Sequence, residues 1–398
     1  GRRRSAEDAN AGNVGSVGVR ESKMIGQFEI QRVGLEGQGI AYDAAGNIYF
    51  IPGALPGECV DAEYDDAAKR YRDAILTNLV RASKERVESP CVYFKQCGGC
   101  DWLDWDYDAQ IKAKEHTLAH VLERGSVSPK EMLPMVRAEK TSGYRNRIQV
   151  RSNGEKLGFF KKRSHDIVDI ESCYVAHPKL NDKIKELRAE LVGETKTQKT
   201  ELALTEEGKV SVMVNRPHAA LGFQQIHTEQ NRALQEIVVG LAQKRHAKEV
   251  FELFCGSGNL TFPLLSVVER IIAVDASEEA IAFAKQKRDK LSETEIPKVG
   301  FFVSRVDKGV LKKFPAEFRG RYDTLILDPP RTGLTQLGVK FEDVLAPKVK
   351  NVIYVSCSPV EFSKDAQALK ECFDFVSVQP IDMFPHTRHI EFVALFSR

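Results

Sequence analysis

Cys357 ends a run of β-formers, Ile353-Tyr354-Val355-Ser356-Cys357-Ser358-Pro359. Cysteine is among the most buried residue types, so a small packed side chain is the ordinary reading. The other reading is a nucleophile held at a strand tip, whose thiolate attacks an electron-poor carbon. Such a nucleophile needs a base beside it. Glu391 opens the last apolar run of the chain, within DMFPHTRHIEFVALF (382–396). If the two runs pair side by side, the end of one and the start of the other share a rim. Thiol and carboxylate then form a nucleophile–base pair. Alone, Glu391 reads as a solvated strand-edge acid, and His386 and His389 as surface residues.

Cys91, Cys97 and Cys100 stand at x5 and x2 spacing, with Cys173 downstream in IESCYV. Four thiolates make a complete set for zinc or an iron–sulfur cluster. Cys59 competes for the distant fourth place. Four protein ligands leave no position open for chemistry, so the site reads as structural or RNA-ordering. The chain has eight cysteines and its opening stretch does not read as a secretory signal, so a disulfide framework is not expected. Cys59, Cys255 and Cys372 read as ordinary packed side chains.

A third constellation, Phe251-Glu252-Leu253-Phe254-Cys255-Gly256-Ser257-Gly258-Asn259, is a strand, a Gly-x-Gly turn and a helix start. Such glycines let the backbone approach a ligand closely. Thr261 replaces the third glycine of the dinucleotide fingerprint, so no pyrophosphate need be cradled. A nucleoside cofactor without phosphates fits better, S-adenosylmethionine foremost. Asp275 ends the next strand and suits ribose hydroxyls. In Leu327-Asp328-Pro329-Pro330-Arg331-Thr332-Gly333, two prolines stiffen the exit loop and hold Asp328 at the rim, where it can accept from an imide N–H or an amine.

These residues need scaffolds. The chain has 398 residues, enough for two or three cores, with 42% hydrophobic and 29% charged residues. No stretch of eighteen apolar residues appears, and the opening residues read as a flexible tail (1–24). Net charge is only +2, so an RNA-binding face must be a local patch. Candidate patches are Lys69, Arg70 and Arg72, and Lys161, Lys162 and Arg163. Short glycine-broken strands up to about residue 84 predict a small β-barrel. Residues 130–222 mix strands with the helical LNDKIKELRAELV. From about 247, buried strands alternate with helix-length segments, which predicts a mostly parallel sheet with its ligand beyond the strands' carboxyl ends. That rule puts Cys255, Asp275, Asp328 and Cys357 on one rim.

Taken together, GLEGQGIA, FIPGALPGE, YRNRIQ, FQQIH, LFCGSGNLTFPL, LDPPRTG, YVSCSP, FPHTRHIE and the four cysteines resemble the RNA uracil-C5 methyltransferases. The resemblance covers nearly the whole chain after the tail and is nearest the 23S rRNA branch. It implies a multidomain α/β chain: an OB-like TRAM β-barrel that binds RNA (25–87), an α+β central domain with an Fe–S cluster (88–222), and a C-terminal Rossmann-like S-adenosylmethionine-dependent methyltransferase domain (223–398). It implies a [4Fe–4S] cluster on Cys91, Cys97, Cys100 and Cys173. It makes Cys357 the nucleophile and Glu391 the base, and places Gln225, Phe254, Asn259, Asp275, Asp307 and Asp328 around S-adenosylmethionine and the target base. The expected setting is a cytoplasmic monomer acting on RNA, 23S rRNA first, with no DNA and no membrane. Three positions depart from the family pattern: His227 replaces Asn, Glu252 replaces Asp and Ser358 replaces Asn.

The implied chemistry explains the residue types. Uracil C5 becomes nucleophilic only when a thiolate has added to C6, and a base must then remove the C5 proton. The uridine has to leave its stack for this to happen. Cys357 then needs thiolate character, which an electropositive rim would supply. Three rivals remain: a tRNA uracil-C5 methyltransferase, a cytosine-C5 enzyme, which usually carries a proline–cysteine motif where this chain has Ser356-Cys357, and a non-catalytic Fe–S RNA-binding protein on the same fold.

Overall fold

Eight strands form the sheet that carries the sites of Cys357 and Glu391, in the order β15-β14-β13-β16-β17-β19-β18-β7. Their ranges are β7 Glu131–Met132, β13 Glu249–Leu253, β14 Arg270–Asp275, β15 Val299–Val303, β16 Thr324–Leu327, β17 Asn351–Ser356, β18 Asp374–Ile381 and β19 Glu391–Ser397. The strands from β15 to β17 are parallel, while β19 runs antiparallel between β17 and β18. Every residue of β16, β17 and β19 is buried. This explains their continuous apolar runs: a sheet covered on both faces has no solvent side to alternate with.

The computed structural model describes residues 23–65, 70–190, 197–215, 225–314 and 321–398. Lys69, nearly all of the expected tail, and Phe223 and Gln224 of FQQIH lie outside the described residues. The chain divides into two units, one ending at Ser83 and the other formed by Val33–Gly37 with Lys84–Arg398. In the first unit, β1 Lys23–Glu29, β2 Arg32–Val33, β3 Gly39–Tyr42, β4 Ile48–Ile51, β5 Cys59–Asp65 and β6 Tyr71–Arg81 form one sheet, ordered β1-β5-β6-β4-β3-β2. It curls around Phe28, Tyr49, Ile51, Val60 and Ala62, and β1 also touches β3.

The larger unit holds a second, antiparallel sheet made of β8 Arg147–Ser152, β9 Leu157–Phe160, β10 Ile167–Asp169, β11 Gln198–Leu204 and β12 Val210–Val214. Helix α2, Pro178–Glu190, packs Leu180 and Ile184 against its Ile148, Val150 and Leu202. Around the large sheet lie α1 Tyr107–Arg124, α3 Thr228–Lys244, the single turn α4 Thr261–Leu264, α5 Glu278–Arg288, the single turn α6 Gly333–Gln336 and α7 Pro359–Leu369. His227 caps α3: its Nδ1 accepts from the Gln230 N–H (3.5 Å) and its Nε2 bonds the Lys140 carbonyl (2.9 Å). A histidine can thus do the capping that the usual asparagine would do. No described helix is long and apolar enough to cross a membrane.

Helix α1 buries Ile111, Leu118 and Leu122 and, on the same face, the fully buried Lys114. The Lys114 ammonium donates to Asp382 Oδ1 (2.6 Å) and to the Phe384 carbonyl (3.0 Å), and Tyr107 O–H donates to Asp382 Oδ2 (2.7 Å). Buried charges are tolerated when paired and hydrogen-bonded in this way. The pair ties α1 to the chain leaving β18. Lys114→Met should leave a buried carboxylate with Tyr107 and no cation, at a cost of about 3–5 kcal/mol. Denaturant melts read through Trp102, whose ring lies 6.0 Å from the Lys114 nitrogen, measure it. A loss below about 1 kcal/mol would mean that the pair does not hold this corner.

Candidate active site

The pairing of β17 with β19 runs from Asn351 opposite Ser397 to Ser356 opposite Phe392. Cys357 and Glu391 each stand one residue outward of that last pair, and the Glu391 charge acts on the Cys357 thiol, so the two runs meet at one rim. Glu391 is buried and Cys357 half-buried. Burial pushes the Cys357 thiol up to about 12, with the Glu391 charge adding and Arg331 opposing. Burial, then Asp328, pushes the Glu391 carboxyl well above the usual range, again against Arg331. Asp328 itself is raised to about 7 by burial and then by Asp275. The electropositive rim expected for a resting thiolate is therefore absent here. Burial and the acidic neighbours outweigh one guanidinium, and both groups are pushed toward their protonated forms.

Asp328 sits where the thiol–acid pair meets the glycine loop. That loop leaves β13 through Phe254, Gly256 and Gly258, all with positive φ (64°, 54° and 88°). A side chain at Gly258 would also run into the Phe262 ring, 2.5 Å from an ideal Cβ. This glycine is thus fixed by its own backbone and packing as well as by any ligand. Asp275 holds the turn, accepting from Gly256 N–H (2.9 Å) and Ser277 N–H (2.8 Å). Behind the loop, buried Glu252 accepts from the Thr261 hydroxyl (2.6 Å). Burial raises Glu252 to about 8, with Asp328 and Asp275 adding and Thr261 opposing. A cationic sulfonium would be at home near three such acids.

Cys357 also lines a pocket with Arg331, Arg388 and His389, and Gly34–Glu36 of the same unit contribute to its wall. Burial, Arg331 and Arg388 push His389 down to about 4, so its imidazole is neutral at pH 7. The loop that positions Arg331 is locked to α7, the helix following Cys357. Buried Asp365 accepts from Leu334 N–H (2.8 Å), Thr335 N–H (2.9 Å) and Tyr354 O–H (2.6 Å). The loop leading into Glu391 is clamped too. His386, at φ 65°, has its carbonyl bonded by Asp101 N–H (2.9 Å) and Trp102 N–H (3.1 Å), and the Tyr144 hydroxyl donates to the Pro385 carbonyl (3.0 Å).

Cys91, Cys97, Cys100 and Cys173 line one cavity with Arg145 and carry no disulfide. Burial raises Cys97, Cys100 and Cys173, and Arg145 opposes it at each. Among the described residues, no three His, Cys, Asp or Glu side chains converge on a single metal ion. Four thiols around one cavity are a donor set that suits zinc or an iron–sulfur cluster. Cys59 lies in the other unit and is buried, as is Cys255, whereas Cys372 is exposed, because it falls in the turn after α7 and not in a strand.

Of the other residues singled out in the sequence, Asp275 and Asp328 gather at the rim and Phe254 turns the loop. Asn259 is committed to α3, exchanging amide bonds with Asn231 (2.9 Å each way) and accepting from Gln235 (3.1 Å). Gln225 is buried, and its carbonyl accepts from Asn146 (2.9 Å). Asp307 is not brought in: it is exposed and salt-bridged to Lys313 (3.0 Å). Arg331, His389, Arg388, Asp101 and Glu252 escaped selection as site residues. Arg331 had a signal, since it follows the proline pair directly.

Residues 178–398 match the family model of tRNA (uracil-5-)-methyltransferase. An uncharacterized RNA methyltransferase of Bdellovibrio bacteriovorus is 30% identical over 92% of this chain and 94% of its own. The 23S rRNA (uracil(1939)-C(5))-methyltransferase of Francisella tularensis subsp. novicida is 27% identical over 94% and 96%. The fold is similar to that of the Pyrococcus abyssi tRNA (uracil-54, C5)-methyltransferase solved with S-adenosyl-L-homocysteine. That likeness has a TM-score of 0.71 at 22% identity and covers 94% of this chain and 100% of that one.

The crowded rim has a pH signature. An acid whose folded pKa is raised gives stability that is present below its unfolded value and lost as pH rises through the folded one. Asp328 and Glu252, raised to about 7 and about 8, should make the ligand-free protein lose thermal stability steadily from about pH 4 to 8. Asp328→Asn should flatten the lower part of that slope in melting curves recorded against pH. An unchanged slope would mean that Asp328 is not the crowded group.

Proposed function

The chain belongs to the tRNA (uracil-5-)-methyltransferase family of S-adenosylmethionine-dependent RNA uracil-C5 methyltransferases, and on that premise we propose that it methylates a uridine of 23S rRNA through a covalent Cys357 adduct. The observation that supports the mechanism is that Cys357 and Glu391 both lie one residue beyond the last pair of two antiparallel strands. The choice of RNA draws on the 23S rRNA enzyme of Francisella, which matches end to end.

In this reading the uridine flips into the pocket lined by Cys357, Arg331 and His389. The Cys357 thiol gives its proton to solvent water as substrate binds, and its sulfur bonds to C6 while the C5–C6 π pair moves into the C4–O4 enolate. S-adenosylmethionine supplies the methyl cation that C5 takes up. Glu391, ionised for this step, removes the C5 proton; the electron pair re-forms C5–C6 and expels the Cys357 thiolate. A carboxyl raised by burial is a stronger base once ionised. Gly256, Asp275 and Asp328 stand at the cofactor rim.

The four cysteines would hold a [4Fe–4S] cluster whose part here is to order the 91–100 loop, supported by their shared cavity and the adjacent Arg145. The first unit would be the RNA-binding TRAM barrel. Its exposed Tyr71 lies parallel to Phe50 at 6.3 Å, beside exposed Arg70, which suits base stacking and phosphate contact.

Two experiments follow. With radiolabelled methyl donor and unmodified 23S rRNA, Cys357→Ala should give no product and no adduct. Glu391→Gln should stall as a methylated protein–RNA adduct on a denaturing gel, with turnover reduced about 10²–10⁴-fold. Normal turnover by Glu391→Gln without an adduct would exclude it as the base. Separately, anaerobically purified protein should be brown, with equal iron and sulfide; a colourless active protein carrying stoichiometric zinc would exclude the cluster.

A further inference from the structure

We propose that Arg388 binds an RNA phosphate next to the flipped uridine, and that Glu36 holds this phosphate's place until RNA displaces it. The inference rests on the RNA-methylating reading and adds a binding residue to it. Arg388 lines the pocket that contains Cys357, and so does Glu36. Its guanidinium lies between two carboxylates of unlike character. On one side is Asp101, its side chain only 7% exposed, which accepts from the Arg388 N–H (3.0 Å) and the guanidinium (3.3 Å). On the other is Glu36, 61% exposed and 2.9 Å from the guanidinium. The inner carboxylate fixes the fork in place, while the outer, solvated one is easily exchanged, since exposed ion pairs are weak.

Charge balance points the same way. Lys162 also holds Asp101 (2.9 Å), so the four groups Arg388, Lys162, Asp101 and Glu36 sum to zero. Replacing the Glu36 carboxylate with a phosphate monoanion preserves that balance and suits the planar donor fork of arginine, which matches two oxygens at once. A nucleotide entering toward Cys357 passes the wall that Gly34–Glu36 form, which is where Glu36 already presents its oxygens. Arg388 has a second task in the clamp on the loop before Glu391, so the test must separate binding from scaffolding.

The test measures affinity for fluorescent, unmodified 23S rRNA transcript against salt, in a Cys357→Ala background that binds without turnover. Arg388→Gln should weaken binding about ten- to a hundredfold, the scale of one charged hydrogen-bonded contact. It should also lower the log–log salt slope by about 0.7–0.9, the value of one phosphate. Arg388→Lys should keep the slope. Glu36→Gln should tighten binding, a direction that a purely structural clamp does not predict. Calorimetry with S-adenosyl-L-homocysteine checks that each variant keeps a folded cofactor rim. Unchanged affinity and slope in Arg388→Gln, or weaker binding in Glu36→Gln, would overturn the inference and leave the functional reading standing. A parent protein that binds no 23S rRNA would bring down the choice of RNA and the inference with it.

Discussion

The antiparallel register of β17 on β19 is the contact on which the chemistry depends. Residues on a strand alternate faces, so a slip of one position would turn Glu391 away from Cys357. Alternation cannot set this register, because both strands are buried on both faces. The register is pinned from outside the ladder. The loop between β18 and β19 is held at Asp382 by Lys114 and Tyr107, at Pro385 by Tyr144, and at His386 by Asp101 and Trp102. Every one of these anchors comes from sequence more than 230 residues earlier, so strand pairing and loop anchoring assemble only together.

That assembly carries a cost at the rim. Glu391, Asp328, Glu252 and Cys357 are all pushed toward their protonated forms, by burial first and mostly by one another next. Phe254 and His386 hold positive φ, which a side chain rarely adopts and which persists only where the surroundings over-determine the backbone. Both flank the reacting centre. A buried thiol pushed up to about 12 gives little thiolate to stray electrophiles. Activity then waits for a ligand that changes the local charge.

The parallel sheet could be read in the sequence because its strands are long apolar runs between helix-length segments. The rim was legible for the same reason, since a strand's last residue is easy to mark and ligands sit beyond such ends. Asp275, Asp328 and Cys357 were placed on one rim that way, and the structure has them close enough to act on one another. Asp307 stands apart from the rim, and nothing in FFVSRVDKGV shows that the acid is exposed and has a lysine partner. Arg388 and Asp101 were out of reach for a different reason. Each is an unremarkable charged residue in a loop, and their meaning lies in a contact spanning 287 positions. Glu252 looked like a marginal departure, yet burial makes it part of the acidic rim. Lys114 sits among the apolar positions of an amphipathic helix, where only the Asp382 carboxylate explains it.

The anchors also explain why a cysteine cavity belongs in this chain. Asp101 and Trp102 follow Cys100 directly and bond the carbonyl of His386, five residues before Glu391. Asp101 then reaches on to Arg388 with its carboxylate. The 91–100 loop is rich in turns and lays Tyr93 and Cys97 against the core of the second sheet. Whatever fixes Cys100 therefore also fixes, through those two backbone bonds, the loop that leads into Glu391.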